Sequence, residues 1–166
     1  MDERQMTLGQ DWHYGQPVAG FYASEKLDGV RAYWDGFRFW TRSGRCITAP
    51  ESITANLPHT PLDGEIWAGR GEFIAARNAA NHGHWLPVVR FVAFDAPQAA
   101  GDWLARLASI PEGVNKVEGF KVTGTGDVCF HVSRIVREGG EGLVLRQPGV
   151  GYVTGRTASM LKAKPS

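Results

Sequence analysis

The sequence of 166 residues predicts one α+β domain with more strand than helix. Two alternating, aromatic-rich runs flank Asp35-Gly36, a dipeptide that is typical of a tight β-hairpin turn. The nearly continuous apolar run from Val88 to Phe94 indicates a buried strand. Glycine accounts for 21 residues without a three-residue period, which indicates many turns and close backbone approaches in a β-rich chain.

The first part of the chain is predicted to lead from a loose arm into the hairpin. Residues 1–18 show no periodicity, so we expect a loosely ordered N-terminal arm, with the folded domain over 19–166. The hairpin strands are expected over 30–34 and 37–41. A short helix should follow Thr48, because this candidate cap precedes a proline in the first turn and a glutamate three residues after the cap.

The rest of the chain is predicted to alternate strands with helices. Apolar residues recur at helical spacing from Ala99 to Ile110, and Gly139-Gly140 marks the end of a further helix. From these patterns we expect strands over 62–68, 88–94, 143–145 and 160–161, and helices over 72–81, 99–110 and 131–138.

The charge is balanced overall but uneven along the chain. The 18 basic and 17 acidic side chains give a net charge of +1, which excludes a uniformly basic nucleic-acid-binding coat. Residues 30–50 nevertheless contain four arginines and one aspartate, and residues 134–164 contain six basic and two acidic residues. If the fold brings these two segments together, they form a groove that faces phosphates.

The sequence also bears on the compartment. It contains no stretch of about 20 apolar residues for a membrane span, and its polar start does not resemble a signal peptide. Cys46 and Cys129 are too few for a disulfide framework, so we expect reduced thiols. We therefore expect a cytoplasmic protein without membrane contact; a periplasmic form whose leader has been removed is the alternative.

Lys26 is the first candidate for a catalytic residue. It precedes Asp28-Gly29 and Arg31. A lysine amine can act as a covalent nucleophile when it is neutral. Carboxylates occur in two further Gly-containing segments, at Glu65 and Glu141, and the last predicted strand carries two lysines at alternate positions. A nucleophilic lysine, carboxylates for Mg²⁺ and ribose hydroxyls, and cations for phosphates match the needs of nucleotidyl transfer.

The order of these segments resembles the nucleotidyltransferase (adenylation) domain of ATP-dependent DNA ligases, most of all the small bacterial Lig E type. The matching segments are Lys26-Leu27-Asp28-Gly29-Val30-Arg31, Thr41-Arg42-Ser43-Gly44, Asp63-Gly64-Glu65, Phe91 to Asp95, Glu141-Gly142-Leu143-Val144-Leu145-Arg146, Gly155-Arg156 and Leu161-Lys162-Ala163-Lys164. The resemblance implies the ligase and capping-enzyme fold, which is ATP-grasp-like. It has two mainly antiparallel sheets, flanking helices and a nucleotide cleft between the sheets.

The resemblance also implies a role for each residue of the nucleotide site. Lys26 would attack the α-phosphate of ATP and retain AMP as a phosphoramidate, with Mg²⁺ as cofactor and Mn²⁺ as a substitute. Glu141, Lys162 and Lys164 complete the catalytic set. The residues expected to bind ATP or AMP are Ser24, Glu25, Lys26, Arg31, Glu65, Phe94, Lys162 and Lys164. Metal contacts are expected from Glu141 and Glu65, with Asp28 as a further candidate.

The implied partner is nicked double-stranded DNA, sealed by a monomer in repair, replication and recombination. Its contacts are expected from Arg31, Arg42, Arg45 and Arg156. Such ligases carry an OB-fold domain after the Lys-x-Lys strand, and these 166 residues do not include one. We therefore expect slow self-adenylation. Two alternatives stay open: an RNA ligase or capping-type nucleotidyltransferase, and a fragment that binds nicks or AMP with little turnover.

Overall fold

The structure, a computed structural model, describes residues 6–165 and contains two five-stranded sheets. Residues 1–5 of the expected N-terminal arm lie outside this range. In chain order the strands are β1 (Thr7–Asp11), β2 (Tyr22–Glu25), β3 (Val30–Trp34), β4 (Phe39–Trp40), β5 (Cys46–Ile47), β6 (Leu62–Trp67), β7 (Arg90–Asp95), β8 (Phe120–Lys121), β9 (Leu143–Arg146) and β10 (Gly155–Ala163). The helices are α1 (Glu51–Thr54), α2 (Phe73–His82), α3 (Trp103–Ala108) and α4 (Thr125–Arg137).

The two sheets are mainly antiparallel. Sheet A has the strand order β1-β10-β9-β2-β8, and sheet B has the order β5-β4-β3-β6-β7. Within these sheets the parallel pair is β1 with β10, and the other paired strands run antiparallel. The chain passes from sheet A to sheet B between β2 and β3, which makes residues 26–29 a connection between the sheets. The predicted α+β class with two mainly antiparallel sheets and flanking helices is confirmed.

Each sheet has its own hydrophobic core. In sheet B, the buried side chains of Phe39, Ile66 and Phe91 pack with Trp103 of α3. In sheet A, α4 packs on the sheet through the buried residues Val128, Val132 and Ile135, which meet Leu143, Leu145 and Leu161. Burial of one such side chain contributes about 1.5–3 kcal/mol to stability. Because the two clusters consist of different residues, each core stabilises its own side of the molecule.

The hairpin is confirmed, and so are the late strands and the alanine-rich helix. Tyr33 and Trp34 pair with Trp40 and Phe39 on either side of the Asp35-Gly36 turn. The alanine-rich helix ends at Gly83, whose φ of 69° is the left-handed conformation that favours glycine at a helix C-terminus. None of the helices within residues 6–165 is long and apolar enough to cross a membrane.

The expectation of a loose arm over 1–18 is wrong for residues 7–11, which form β1. This strand pairs in parallel with β10, about 150 residues away in the sequence, and its register shifts between Gly9 and Gln10. Because of that shift and of its edge position, the strand shows no regular alternation of apolar and polar residues. No local pattern could therefore predict it.

Three helix boundaries also differ from the prediction. The first helix begins at Glu51 after an extended Pro50 and has no side-chain cap, so Thr48 is not its cap. Asp102 caps α3 by accepting the amide N–H of Ala105, which shortens the predicted 99–110 helix. The last helix, α4, begins at Thr125 rather than 131, and Asp127 in its first turn accepts the amide N–H of Thr123 at 2.9 Å.

Candidate active site

A cavity of about 310 Å³ lies between the two sheets and collects most of the predicted site residues. Sheet A contributes side chains from β2, β9 and β10, and sheet B contributes side chains from β3, β6 and β7. The predicted residues that line this cavity are Ser24, Glu25, Lys26, Arg31, Arg42, Glu65, Phe94, Arg156, Lys162 and Lys164. Basic residues from both charge-rich segments therefore meet at one site.

Lys26 lies where the chain crosses from sheet A to sheet B. Its amide N–H donates to the carbonyl of Gly142 at 2.8 Å, and its Nζ donates to Glu141 Oε2 at 2.6 Å. The side chains of Lys26 and Glu141 are 25% and 40% exposed, so the amine is accessible from the cavity while it contacts a carboxylate. This pair joins residues that are 115 positions apart in the sequence.

Glycine at position 142 allows this contact. Its φ is +152°, and a Cβ atom here would lie 2.1 Å from the carbonyl oxygen of Ala163 on β10. A side chain would therefore push β9 away from β10 and displace the neighbouring Glu141.

Glu65 lies on β6 of sheet B and contacts the connection of residues 26–29 that carries Lys26. Its Oε2 accepts the amide N–H of Gly29 at 3.1 Å, and a Cβ on Gly29 would collide with the carbonyl oxygen of Ile66. Burial disfavours the charged carboxylate and raises the pKa of Glu65 to about 8, although the Gly29 N–H and the charges of Arg31 and Lys26 oppose the shift. Glu65 is thus a protein group that can exchange a proton near neutral pH.

Phe94 forms an aromatic surface between two arginines. The guanidinium carbon of Arg31 lies 5.4 Å from the ring centroid, and that of Arg146 lies 5.7 Å from it. Arg31 also forms a bidentate pair with the buried Asp63, which raises the pKa of Arg31 even though burial alone would lower it. Phe94 lines the cavity, and the face of such a ring can stack on a flat heterocycle.

Lys162 of β10, Lys164 directly after this strand and the remaining arginines form the basic side of the cavity. Lys162 Nζ lies 3.7 Å from Asp11 Oδ1, while Lys164 is exposed near the end of the described chain. Arg156 Nη1 donates to the carbonyl of Gly9 at 2.7 Å. Arg42 is exposed and lines the cavity. This side of the cavity can accept several phosphate groups.

Three predicted residues are not among those that line the cavity. Glu141 borders it through its contact with Lys26, whereas Asp28 and Arg45 are held by other partners. Both carboxylate oxygens of Asp28 accept hydrogen bonds, from Trp67 Nε1 at 2.9 Å and from the amide of Gly71 at 2.7 Å. Arg45 donates to Asn81 Oδ1 at 2.6 Å and is held against the end of α2. In this structure Asp28 fixes the loop around Lys26, and Arg45 fixes a helix.

Arg146 also lines the cavity, although it is not among the predicted site residues. It is 6% exposed, its Nη1 donates to Ser24 Oγ at 2.9 Å, and burial lowers its pKa to about 10. Its guanidinium also stacks 4.2 Å from the ring centroid of Trp103. The available signal was a charged residue at the end of an otherwise apolar strand, which often marks a buried group with a specific task.

The site suits a Mg²⁺ ion only when the protein and a bound nucleotide both supply its ligands. Within residues 6–165 there is no group of three or more His, Cys, Asp or Glu side chains that could hold a metal ion. Mg²⁺ is commonly held by one or two carboxylates with substrate phosphates and water, and Glu141 and Glu65 supply carboxylate oxygens of the required kind. The donor set therefore suits a metal that arrives with a nucleotide.

Comparison with known proteins identifies the family. No protein-family model matches the sequence. A curated DNA ligase of Haemophilus influenzae is 30% identical over 159 residues, which cover 90% of this chain and 59% of that protein. A solved structure from a structure–function study of Lig E DNA ligases is 32% identical and has a TM-score of 0.84, covering 96% of this chain and 68% of that chain. The chain belongs to the DNA ligase family.

The matched region is the nucleotidyltransferase domain of the Lig E type, as the motif order indicated. The same fold occurs in the Chlorella virus DNA ligase-adenylate, with a TM-score of 0.80 at 17% identity over 98% of this chain and 68% of that chain. The chain spans 59% of the length of the Haemophilus influenzae DNA ligase. Fold and family are thus established for the adenylation domain.

Proposed function

We propose that this chain is the adenylation domain of an ATP-dependent DNA ligase and that Lys26 is its nucleophile. The observation that supports this most is the contact of the Lys26 amine with Glu141 at 2.6 Å, since Lys26 itself lines a cavity together with lysines and arginines. An amine positioned beside a carboxylate and phosphate-binding cations has the parts needed for attack on a nucleoside triphosphate.

In this proposal the nucleotide lies between the sheets. Phe94 stacks on adenine, while Ser24 and the backbone of Glu25 and Lys26 lie at the base edge. Glu65 binds the ribose hydroxyls, and Lys162 and Lys164 bind the α-phosphate. When bound through the phosphates and Glu141, Mg²⁺ would offset the negative charge on the phosphate oxygens.

The first step transfers AMP to the protein. Glu141 Oε2 accepts a proton from Lys26 Nζ, and the neutral amine then attacks the α-phosphorus. A nitrogen–phosphorus bond forms and the bond from the α-phosphorus to the pyrophosphate oxygen breaks, which releases pyrophosphate. The amine loses its second proton as the new bond forms, and the departing pyrophosphate takes up this proton. The cations of Lys162 and Lys164 stabilise the charge that develops on the non-bridging oxygens.

The next two steps use the DNA nick. A 5′-phosphate oxygen attacks the AMP phosphorus, so the nitrogen–phosphorus bond breaks and Lys26 takes up a proton. The 3′-hydroxyl then attacks the adenylated 5′-phosphate, forms the phosphodiester bond and releases AMP. Arg31, Arg42 and Arg156 face the cavity and supply cations for the strand that carries the 5′-phosphate. Arg45 would contact DNA only outside the cavity.

A label-transfer experiment tests this function against its alternatives. The chain is incubated with Mg²⁺ and with ATP or GTP labelled at the α-phosphate, and nicked DNA or nicked RNA is then added. We expect label from ATP on the protein and its transfer to the 5′-phosphate of nicked DNA. Labelling from GTP, or transfer to RNA alone, would instead establish a capping-type enzyme or an RNA ligase. AMP binding without any covalent label would establish a binding fragment.

A further inference from the structure

Behind the Lys26 loop, one arginine outside the recognised motifs connects three segments of the chain. Arg70 lies in the loop between β6 and α2. Its Nη2 and Nε donate to the two carboxylate oxygens of Glu25 at 2.7 and 3.0 Å, and its Nη1 donates to Glu138 Oε2 at 2.8 Å. A single guanidinium thus makes three charge-assisted hydrogen bonds to two carboxylates.

The two carboxylates belong to the segments that position the nucleophile pair. Glu25 is the last residue of β2 and directly precedes Lys26. Glu138 is the C-cap of α4 and lies three residues before Glu141. Arg70 belongs to the sheet B side of the molecule, whereas both of its partners belong to elements of the sheet A side.

The segment that carries Glu141 is rich in glycine, so its position depends on contacts such as those of Arg70 with Glu25 and Glu138. Glu141 is flanked by Gly139 and Gly140 before it and by Gly142 after it, and glycine gives the backbone more freedom than any other residue. A Cβ on Gly140 would lie 2.4 Å from Ile135 Cγ2 and 3.2 Å from Glu25 Oε2. The Glu25 carboxylate therefore packs directly against this glycine backbone while Arg70 holds its other side.

Trp67 at the end of β6 and Gly71 of the same loop as Arg70 hold the other end of the nucleophile segment. Trp67 Nε1 and the amide of Gly71 both donate to the Asp28 carboxylate. The segment 67–71 thus contacts the residue before Lys26 and the residue two positions after it. Hydrogen bonds to Glu25 and Glu138 raise the pKa of Arg70, and Arg70 in turn lowers the pKa of Glu138.

We propose that Arg70 is a positioning residue for lysine adenylation: through Glu25 and Glu138 it holds Lys26 and Glu141 in the geometry needed for attack. This inference rests on the proposed function and deepens it. Arg70 does not line the cavity, so it acts through these two carboxylates and not on the nucleotide.

The test separates the saturating rate of lysyl-AMP formation from the ATP concentration that gives half of that rate. In Arg70→Ala we expect a saturating rate about 10–100-fold lower, because small displacements of a nucleophile cost that much. The half-saturating ATP concentration should change by less than about threefold, because nucleotide contacts are intact. Arg70→Lys should lose most of the rate as well, since one ammonium cannot reproduce the planar fork. The matched control is Arg77→Ala, on the exposed face of α2.

Thermal melting of each variant accompanies the rates, and Glu138→Ala removes the more exposed partner, which is 53% exposed. We expect a smaller loss of saturating rate in Glu138→Ala, in the same direction. A wild-type saturating rate in Arg70→Ala, or a loss confined to ATP half-saturation, would overturn the positioning role. If Arg70→Ala does not fold, an unchanged saturating rate in Glu138→Ala overturns it. Absence of lysyl-AMP in the unaltered chain would instead refute the proposed function itself.

Discussion

The nucleophile pair shows how much a single contact depends on distant parts of the chain. The Lys26 amine contacts Glu141 because the loop after β2 and the loop before β9 meet at the edge of adjacent strands. Gly142 contributes twice, since its carbonyl accepts the Lys26 amide and its lack of a side chain lets β10 approach. The pair is therefore a product of the packing of sheet A.

Glu65 gives a prediction about pH at the residue scale. Its pKa is about 8 in the folded chain, above the value near 4.3 of an ordinary glutamate, so the folded state binds this proton more tightly than the unfolded state. Its contribution to stability is fully present below about pH 4.3 and is lost as the pH rises through 8. Glu65→Gln should remove this loss, by at most about 1.4 kcal/mol per pH unit.

Urea unfolding at pH 5 and at pH 8.5 measures the effect. The free energy of unfolding of Glu65→Gln, relative to the unaltered chain, should rise between the two pH values. Glu118→Gln, at an exposed glutamate, serves as the control and should show no such rise. Parallel pH profiles for Glu65→Gln and the unaltered chain would contradict a raised pKa of Glu65.

The sequence predicted the kinds of site residue better than their surroundings. Lys26, Glu65 and Phe94 each lie in a short segment with a recognisable pattern, and all three line the cavity. The partners of Asp28 could not be predicted, since Trp67 and Gly71 follow it by about 40 residues and contact it only through the fold. Arg146 was missed for a similar reason, because its burial depends on Trp103 and Ser24.

At the scale of elements, glycine has opposite effects in different backbone settings. Gly142 has a φ of +152° and no room for a Cβ, so Gly142→Ala should cost about 1–3 kcal/mol of stability from backbone strain alone. Gly126 lies in the first turn of α4, where a Cβ atom would meet nothing within 4 Å. Gly126→Ala should therefore raise stability by about 0.5 kcal/mol, since alanine loses less backbone entropy in a helix.

Denaturant unfolding of the two alanine variants checks this pair of predictions. We expect Gly142→Ala to lower the midpoint and Gly126→Ala to raise it slightly. Equal shifts in the two variants would show that the close approach of β9 and β10 at Gly142 is not required.

Helices and strands that are stabilised by residues close in the sequence were predicted, whereas those that depend on distant residues were not. The hairpin of β3 and β4 is encoded by its own turn, and α2 by its alanines and Gly83. The edge strand β1 depends on β10, and α4 begins early because Asp127 binds the Thr123 amide. Such elements require tertiary contacts that periodicity alone does not reveal.

At the scale of the whole molecule, a polar network connects the two sheets beside the cavity. The Tyr152 hydroxyl donates to Asp63 Oδ2 at 2.6 Å and accepts the amide N–H of Thr7 at 3.0 Å. Arg31 binds the same Asp63 and also donates to the carbonyl of Thr7 at 2.6 Å. Because Asp63 is fully buried, this network fixes β1 of sheet A against β3 and β6 of sheet B.

Tyr152→Phe tests the contribution of this network. Loss of the hydroxyl leaves a buried carboxylate oxygen and an amide with one partner fewer, which should lower the free energy of unfolding by about 1–3 kcal/mol. Tyr14→Phe is the matched control, because Tyr14 is 83% exposed and its hydroxyl is not needed for packing. Equal stability of the two variants by urea unfolding would contradict a structural role for the network.

Mass spectrometry tests whether Lys26 is the residue that accepts AMP. After incubation with ATP and Mg²⁺, the intact chain should gain the mass of one AMP, and peptide mapping should place the adduct on Lys26. Lys26→Ala, checked for folding by circular dichroism, should show no adduct, whereas Lys121→Ala, at an exposed lysine of β8 outside the cavity, should keep it. An adduct that persists in Lys26→Ala, or that maps to another lysine, would show that Lys26 is not the nucleophile.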